Sequence, residues 1–275
     1  MTDLQIDTPP TKRAPNQIRR YGPEGFEGMR QAGQISARAL DMLVDEVKPG
    51  VTTQYLDDLV RVFFLDHGAV PATLFYRGYP ASSCTSINHV VCHGIPNNKP
   101  LKDGDIVNID VTCIKDGWHG DTSRMFPVGE MRRKAERLIE VTYKAMMLGI
   151  EAVKPGATFG DIGRVIQQYA ESQRFSVVRD FCGHGLGERF HEPPNVLHFY
   201  DPGMQTATLE PGMIFTIEPM LNAGKPSVKV LSDGWTAVTR DKSLSAQFEH
   251  SLGVTETGAE IFTQSPTGYH CPPFK

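Results

Sequence analysis

The chain has no CxxC pair and no even set of cysteines: its five, Cys84, Cys92, Cys113, Cys182 and Cys271, are odd in number and scattered. That spacing excludes a disulfide framework and a zinc knuckle, and the five read as reduced thiols serving as small apolar side chains. Basic excess is also missing. Lys and Arg total 28 against 32 Asp and Glu, a net charge of −4, so no electrostatic footprint for nucleic acid is present. No apolar run approaches the roughly 20 residues that span a bilayer. Residues 1–15 carry neither the apolar stretch of a secretory signal nor the Arg/Ser pattern of an organelle transit peptide. The expectation is a cytoplasmic protein with no nucleic-acid and no membrane partner. At 275 residues it can bury one large core, or two halves that share one.

What is present is repetition. Residues 1–20 are polar, with Lys12, Arg13, Arg19 and Arg20 clustered, and read as a flexible, solvated extension ahead of a single domain over residues 21–275. Met29, Ala32, Ile35, Ala39, Leu43 and Val47 recur at spacings of three and four, which predicts a helix over 23–47 ended by Lys48-Pro49-Gly50. That stop occurs twice: Val47-Lys48-Pro49-Gly50-Val51-Thr52 returns as Val153-Lys154-Pro155-Gly156-Ala157-Thr158. Each copy follows a helical stretch (the second at 132–152) and opens another, 53–67 and 159–173, with Thr52 or Thr158 placed to cap it. A second echo pairs residues 101–110 with 209–218. Each passes through a turn glycine, Gly104 or Gly212, into an alternating strand that ends on a carboxylate, Asp110 or Glu218. A third pairs His93-Gly94-Ile95-Pro96-Asn97 with His191-Glu192-Pro193-Pro194-Asn195. Three echoes in one order imply an α+β fold of two related halves, about 21–130 and 131–264. Their antiparallel sheets would join edge to edge under helices, around a central cleft.

The chemistry-bearing residues fall on those strands. Along 107–114, Val107, Ile109, Val111 and Cys113 take one face while Asn108, Asp110 and Thr112 take the other. Lys115-Asp116-Gly117 signals a hairpin, and the returning strand carries Asp121. A turn centred on 115–116 sets Asp110 opposite Asp121; one centred on 116–117 makes them diagonal neighbours on the same face. A three-residue loop puts them on opposite faces unless a bulge restores the phase. Acids so close repel each other unless a cation lies between, although alone they also fit a solvated hairpin face. Further on, glycines flank His184 in Cys182-Gly183-His184-Gly185-Leu186-Gly187, which suggests close backbone approach to something bound. Their GxGxG spacing, with no lysine following, is a poor nucleotide loop. Phe190-His191-Glu192-Pro193 follows, then Thr216-Ile217-Glu218-Pro219 and Gln247-Phe248-Glu249-His250. Asp110, Asp121, His184, Glu218 and Glu249 make four carboxylates and one imidazole, whose charge matches two divalent cations. With no thiolate among them, the set suits Mn²⁺, Fe²⁺ or Co²⁺ better than structural zinc.

The ordered set Asn108-Ile109-Asp110, His119-Gly120-Asp121-Thr122, Cys182-Gly183-His184-Gly185, Phe190-His191-Glu192-Pro193, Thr216-Ile217-Glu218-Pro219-Met220 and Glu249-His250 resembles the type I methionine aminopeptidases, over roughly residues 22–264. The resemblance implies the pita-bread (creatinase/aminopeptidase) fold of two pseudo-symmetric halves, forming one catalytic metallopeptidase domain of bacterial type without an N-terminal zinc-finger extension. It implies two divalent ions per chain (Co²⁺, Mn²⁺, Fe²⁺ or Zn²⁺). Asp121 and Glu249 would bridge them, Asp110 would complete one, and His184 with Glu218 the other. A metal-activated water would attack the peptide bond with Glu218 as general base and His191 stabilising the tetrahedral intermediate, while His93 positions the peptide. Tyr76, Tyr79, Cys84, Phe190 and Trp235 would line the methionine pocket together with His93 and His191. The backbone carbonyls of Asn88, Val90 and Ser245 would hold a monovalent cation, Na⁺ or K⁺. The substrates would be nascent polypeptides with an N-terminal Met and a small second residue, met by a monomer in transient ribosome contact. Arg77 and Thr73 depart from the histidine and cysteine common at those positions, and both fall at the pocket rim. A prolidase or aminopeptidase P on the same fold would carry a further N-terminal domain, for which residues before 23 leave no room; a catalytically dead binding module would lack ligands, and none is missing.

Overall fold

The two Pro-Gly stops become two copies of one turn. Gly50 N donates to Leu101 O (2.8 Å) and Leu101 N to Val51 O (2.8 Å); in the second half Gly156 N donates to Leu209 O (3.1 Å) and Leu209 N to Ala157 O (2.7 Å). Gly50 and Gly156 take φ of 90° and 86°, the left-handed region where a side chain is costly. The first two sequence echoes therefore pair with each other in space, once in each half. The computed structural model describes residues 18–203 and 206–274. Residues 1–17, most of the expected extension, lie outside the described residues.

In the first half, helix α1 (Pro23–Met42) runs into a 3₁₀ turn (Leu43–Asp45), followed by α2 (Thr53–Asp66) and strands β1 (Val70–Pro71), β2 (Ser83–Ile87), β3 (Val90–Cys92), β4 (Ile106–Lys115) and β5 (Trp118–Pro127). The α-helix thus stops five residues short of the expected 47, because its last turn tightens to 3₁₀ before the Pro-Gly stop. The second half opens with α3 (Arg133–Glu151) and α4 (Phe159–Ser172), then β6 (Ser176–Val177), β7 (Gly183–Gly185), β8 (Glu192–Val196) and β9 (Ile214–Ile217). It closes with β10 (Met220–Asn222), β11 (Val228–Val230), β12 (Ala237–Thr239), β13 (Ser245–Gln247), β14 (Glu249–Val254) and β15 (Ala259–Ile261). Both cap threonines act as expected. Thr52 Oγ1 accepts from Tyr55 N, and Thr158 forms a reciprocal capping box with Asp161.

A nine-stranded sheet runs β1-β4-β5-β14-β9-β7-β8, with β2 on β4 and β15 on β14, and its strands pair antiparallel. The β5–β14 pairing is the seam where strands of the two halves meet edge to edge. Val107, Ile109, Val111 and Cys113 are buried in one core with Leu40 of α1 and Leu56, Val60 and Phe64 of α2. The other half packs Leu138, Ile139, Ile162 and Ile166 of α3 and α4 against Phe215, Ile217 and Leu252. Each such fully buried side chain contributes on the order of 1.5–3 kcal/mol. Helix α1 lies close on β5, since a Cβ on Gly120 would come within 2.3 Å of the Ala32 backbone. Residues 18–20 are docked as well: Tyr21 N donates to Gly212 O (2.7 Å), Arg20 bridges to Met213, and Arg20 pairs with Glu210. Among the described residues no helix is long and apolar enough to cross a membrane.

Thr158→Ala removes one partner of the capping box and is expected to lower unfolding free energy by about 1 kcal/mol in urea titration. An unchanged midpoint and slope would contradict the cap's role.

Candidate active site

The hairpin register decides where the first two acids point. Lys115 pairs with Trp118 and Thr112 with Asp121, so the turn is the two residues Asp116-Gly117, with φ of 49° and 86°. Of the open alternatives the diagonal arrangement holds: Asp110 sits opposite Ser123, and Asp121 is its diagonal neighbour on the same face. Glu249 of β14 pairs with Ser123 from the other side. Asp121 therefore lies diagonal to acids on both flanking strands. The β14–β9 ladder ends at His250↔Ile217, and one residue further brings Glu218 level with Glu249. Beyond β9, Gly185 of β7 pairs with Phe215, and His184 N donates to Thr216 Oγ1 at 3.0 Å. Five successive strands thus deliver Asp110, Asp121, Glu249, Glu218 and His184, in that spatial order.

The cluster is tight. Ligand atoms of Asp121, His184 and Glu249 lie within 4.8 Å of one another. His184 Nε2 stands 3.5 Å from Asp121 Oδ2 and 3.6 Å from Glu218 Oε1. Burial pushes Asp110, Glu218 and Glu249 well above the usual carboxylate range, and their mutual repulsion pushes the same way. Burial raises Asp121 to about 7, against the lowering hydrogen bond from Thr112 Oγ1 (2.7 Å). Burial lowers His184 to about 4, leaving a neutral imidazole. Among the described residues no lysine or arginine pairs with any of the four acids, and no hydrogen bond reaches the carboxylates of Asp110 or Glu249. A dense set of hard oxygen donors with one imidazole and no counter-charge fits divalent cations.

The glycines around His184 answer to backbone packing. A Cβ on Gly183 would stand 2.4 Å from Thr216 O, and one on Gly185 2.3 Å from Pro193 O. The expectation that they admit something bound is corrected: they let β9 and the Pro193 segment close on β7.

Above the cluster opens a cavity of about 800 Å³. All of the expected pocket residues line it: Tyr76, Tyr79, Cys84, His93, Phe190, His191 and Trp235. Cys84 pairs with Asp110 across β2 and β4, which carries the pocket wall directly onto the acids. Tyr79, 3% exposed, donates toward Ser83 O and Gly94 O (3.0 Å each) and meets the Trp235 ring edge-on at 5.1 Å. His93 stands edge-on to Phe181 (5.5 Å) and Trp235 (6.2 Å), and burial lowers its pKa. His191 shares a 3.0 Å hydrogen bond between Nδ1 and the Tyr76 hydroxyl, and its ring lies 4.1 Å from that of His184. Crowding by the protein, then the neighbouring His184 and Arg77, hold His191 neutral. Thr73 and Arg77 both line the cavity. Away from it, Ser245 N donates to Asn88 O (2.8 Å), and Thr239 N to His89 O next to Val90. Asn88 and Ser245 are thus brought together, with one Asn88 lone pair already used.

Several contributors escaped the sequence reading. Thr216 Oγ1 donates to Glu218 Oε1 at 2.7 Å, Gln247 Nε2 donates to Glu218 Oε2 at 3.3 Å, and His198 Nε2 accepts from Glu218 N at 3.0 Å. Thr216 could have been found by its place two residues before Glu218 on one strand face, and Gln247 by the same offset from Glu249. His198 carries no local signal. Phe181, which precedes a motif, and Cys182 and Met220, which lie within motifs but were given no role there, also line the cavity.

Comparison with known proteins follows the same lines. The sequence profile of metallopeptidase family M24 matches residues 27–256. The methionine aminopeptidase of Rickettsia prowazekii (strain Madrid E) is 58% identical over 259 residues, 94% of this chain and 99% of that protein. The methionine aminopeptidase of Escherichia coli (strain K12) is 54% identical over 243 residues, 88% of this chain and 92% of that protein. A crystal structure of methionine aminopeptidase from Rickettsia prowazekii superposes with a TM-score of 0.89, covering 90% of this chain and 100% of that one.

The raised carboxylates fix a sign for pH dependence. With more protons bound by these acids in the folded than in the unfolded state, their contribution to metal-free stability falls as pH rises from the unfolded Asp value of about 3.9 through the folded Asp121 value of about 7, while the buried neutral histidines His184, His198 and His250 contribute in the opposite sense. Asp121→Asn removes the central charge and is expected to raise the metal-free Tm at pH 8 by roughly 2–4 °C. Saturating Mn²⁺ should reverse that order, because the ion stabilises the wild-type fold more. Calorimetric scans check both; a metal-free Tm advantage of Asp121→Asn over wild type that does not grow between pH 5 and 8 would sink the repulsion account.

Proposed function

The chain belongs to metallopeptidase family M24, among its methionine aminopeptidases, with the pita-bread fold; from that membership we propose that it removes the initiator methionine of new proteins when the second residue is small. It is a metal-dependent hydrolase. Asp110, Asp121, His184, Glu218 and Glu249 are the residues that would hold two divalent ions. The ions, when bound, supply Lewis-acid activation of a water molecule and of the scissile carbonyl.

The chain's own groups do the rest. Glu218 takes the proton from the attacking water and returns it to the leaving amine. Thr216 and Gln247 hold its two oxygens, and burial raises its proton affinity. In the tautomer whose Nδ1 accepts from the Tyr76 hydroxyl, His191 keeps its proton on Nε2 and hydrogen-bonds the developing oxyanion with it, a contribution of about 3 kcal/mol. His93 hydrogen-bonds the peptide beside the scissile amide. The free α-amine is received on the Asp110 side, which restricts cutting to the first residue. Tyr79, Cys84, Trp235 and Phe190 enclose an unbranched thioether, a shape-tolerant and polarisable ligand for an aromatic wall. The carbonyls of Asn88, Val90 and Ser245 would hold a monovalent cation. Residues 21–275 act as one catalytic unit of two halves. The enzyme works in the cytoplasm as a monomer, in passing contact with the ribosome where its substrates emerge.

The observation that carries this reading is the convergence of four carboxylates without a lysine or arginine partner and one neutral imidazole beneath a cavity walled by His93 and His191. The test is release of methionine from Met-Ala-Ser, with Met-Leu-Ser and Ala-Pro-Ser as controls, after chelation and reloading with Mn²⁺, Co²⁺, Fe²⁺ or Zn²⁺. Cleavage of Met-Ala-Ser alone, lost on chelation, is expected. His191→Ala should lower kcat by about 100-fold with ion content unchanged. Cleavage of Ala-Pro-Ser instead would assign the protein to proline-directed aminopeptidases.

A further inference from the structure

Residues 75–78 form a short loop at the cavity rim with an unusual backbone. Phe75 (φ 66°), Arg77 (φ 48°) and Gly78 (φ 87°) all occupy left-handed conformations. Glycine is at home there, but phenylalanine and arginine are not, and each is held at a cost. Backbone bonds enforce the shape: Phe75 N donates to Tyr79 O (2.8 Å), Tyr76 N to Thr73 O (3.0 Å) and Gly78 N to Phe75 O (3.1 Å). The loop spends this strain on presenting two side chains outward. Phe75 is 77% exposed, and the Arg77 guanidinium lies over the Tyr76 ring at 5.2 Å.

Arg77 is also the sole lysine or arginine among the described residues lining the cavity. It has no acidic partner: among the described residues no ion pair or hydrogen bond engages its guanidinium, in contrast with Arg19, Arg30 and Arg124, which all pair with acids. Of the acids on the lining outside the buried cluster, Glu192 accepts from the Tyr21 hydroxyl (2.8 Å), and Asp180 is exposed. Through Tyr76, whose hydroxyl meets His191 Nδ1, the arginine is one side chain removed from the reacting end of the cavity. The later residues of a peptide whose first residue lies at the buried acids would run along the cavity lining, of which Arg77 is part.

We propose that Arg77 is a specificity residue that reads the substrate beyond its second position and favours acidic side chains at the third and fourth. Stacking on Tyr76 holds the planar guanidinium in place, so less motion is lost when a carboxylate docks. This rests on the aminopeptidase reading of the site below it. The pair forms at an open rim, so the effect is moderate and screened by salt.

The test compares the C-terminally amidated peptides Met-Ala-Asp-Asp-Ser and Met-Ala-Lys-Lys-Ser, so that no terminal carboxylate competes for the arginine. With metal-loaded wild-type enzyme at low salt, kcat/KM is expected to favour the acidic peptide by about three- to ten-fold, mostly through KM. Arg77→Gln should bring the ratio near one, Arg77→Glu should invert it, and 0.5 M salt should shrink the wild-type ratio. The same order should appear in calorimetric binding of the two peptides with the Met-Ala amide reduced to a methyleneamine, which cannot be cleaved. Cleavage of both peptides with no preference, or a preference that survives Arg77→Glu, overturns the proposal. Discrimination in binding without cleavage of either peptide would overturn the aminopeptidase reading while supporting the subsite.

Discussion

Four carboxylates held together without a counter-charge are the constraint on which the structure depends. Asp110, Asp121, Glu218 and Glu249 are driven toward protonation by burial and by one another, and His184 beside them is kept neutral. A metal-free fold would carry this arrangement only at a cost in stability or in bound protons. Divalent metal binding turns the same arrangement from a liability into a source of stability, since ion binding adds to folding free energy. The cluster is thus tolerated because of what it binds.

Its position follows from sheet order. Five neighbouring strands each deliver one ligand, and the seam between β5 and β14 joins the Asp110–Asp121 hairpin of one half to the Glu218–Glu249 pair of the other. Neither half alone assembles the set. The apolar alternation of β4 buries one strand face under α1 and α2 and leaves the acids on the other, so the fold's stability and the site's composition are read from the same pattern. Hydroxyl and amide donors from Thr112, Thr216 and Gln247 then fix individual carboxylate oxygens. Such outer contacts orient ligands and are part of the site's design.

Local patterns made much of this legible before any coordinates. The duplicated Pro-Gly stops and the capping threonines foretold two similar turns, because backbone geometry at a helix end is dictated by a few adjacent residues. The strand faces and the ligand set were equally local. What stayed open depended on contacts far apart in sequence. Turn chemistry near Asp116 left three registers, and only pairing along the whole β4–β5 ladder selects one. His198 reaches Glu218 N across the chain with no motif to announce it. The glycines beside His184 looked like room for a ligand, whereas they make room for neighbouring backbone, a demand visible only once β9 and the Pro193 segment are in place. Residues 18–20 likewise read as solvated, because Glu188, Glu210 and Met213, the partners of Arg19 and Arg20, lie far along the chain.

The most direct measurement is anomalous diffraction at the manganese edge from crystals of chelated protein reloaded with Mn²⁺. Two peaks are expected, both in contact with Asp121 and Glu249, one also with Asp110 and the other with His184 and Glu218. A single peak at full loading, or ions bound elsewhere with the four acids left bare, would contradict the claim that this cluster is built around two divalent cations.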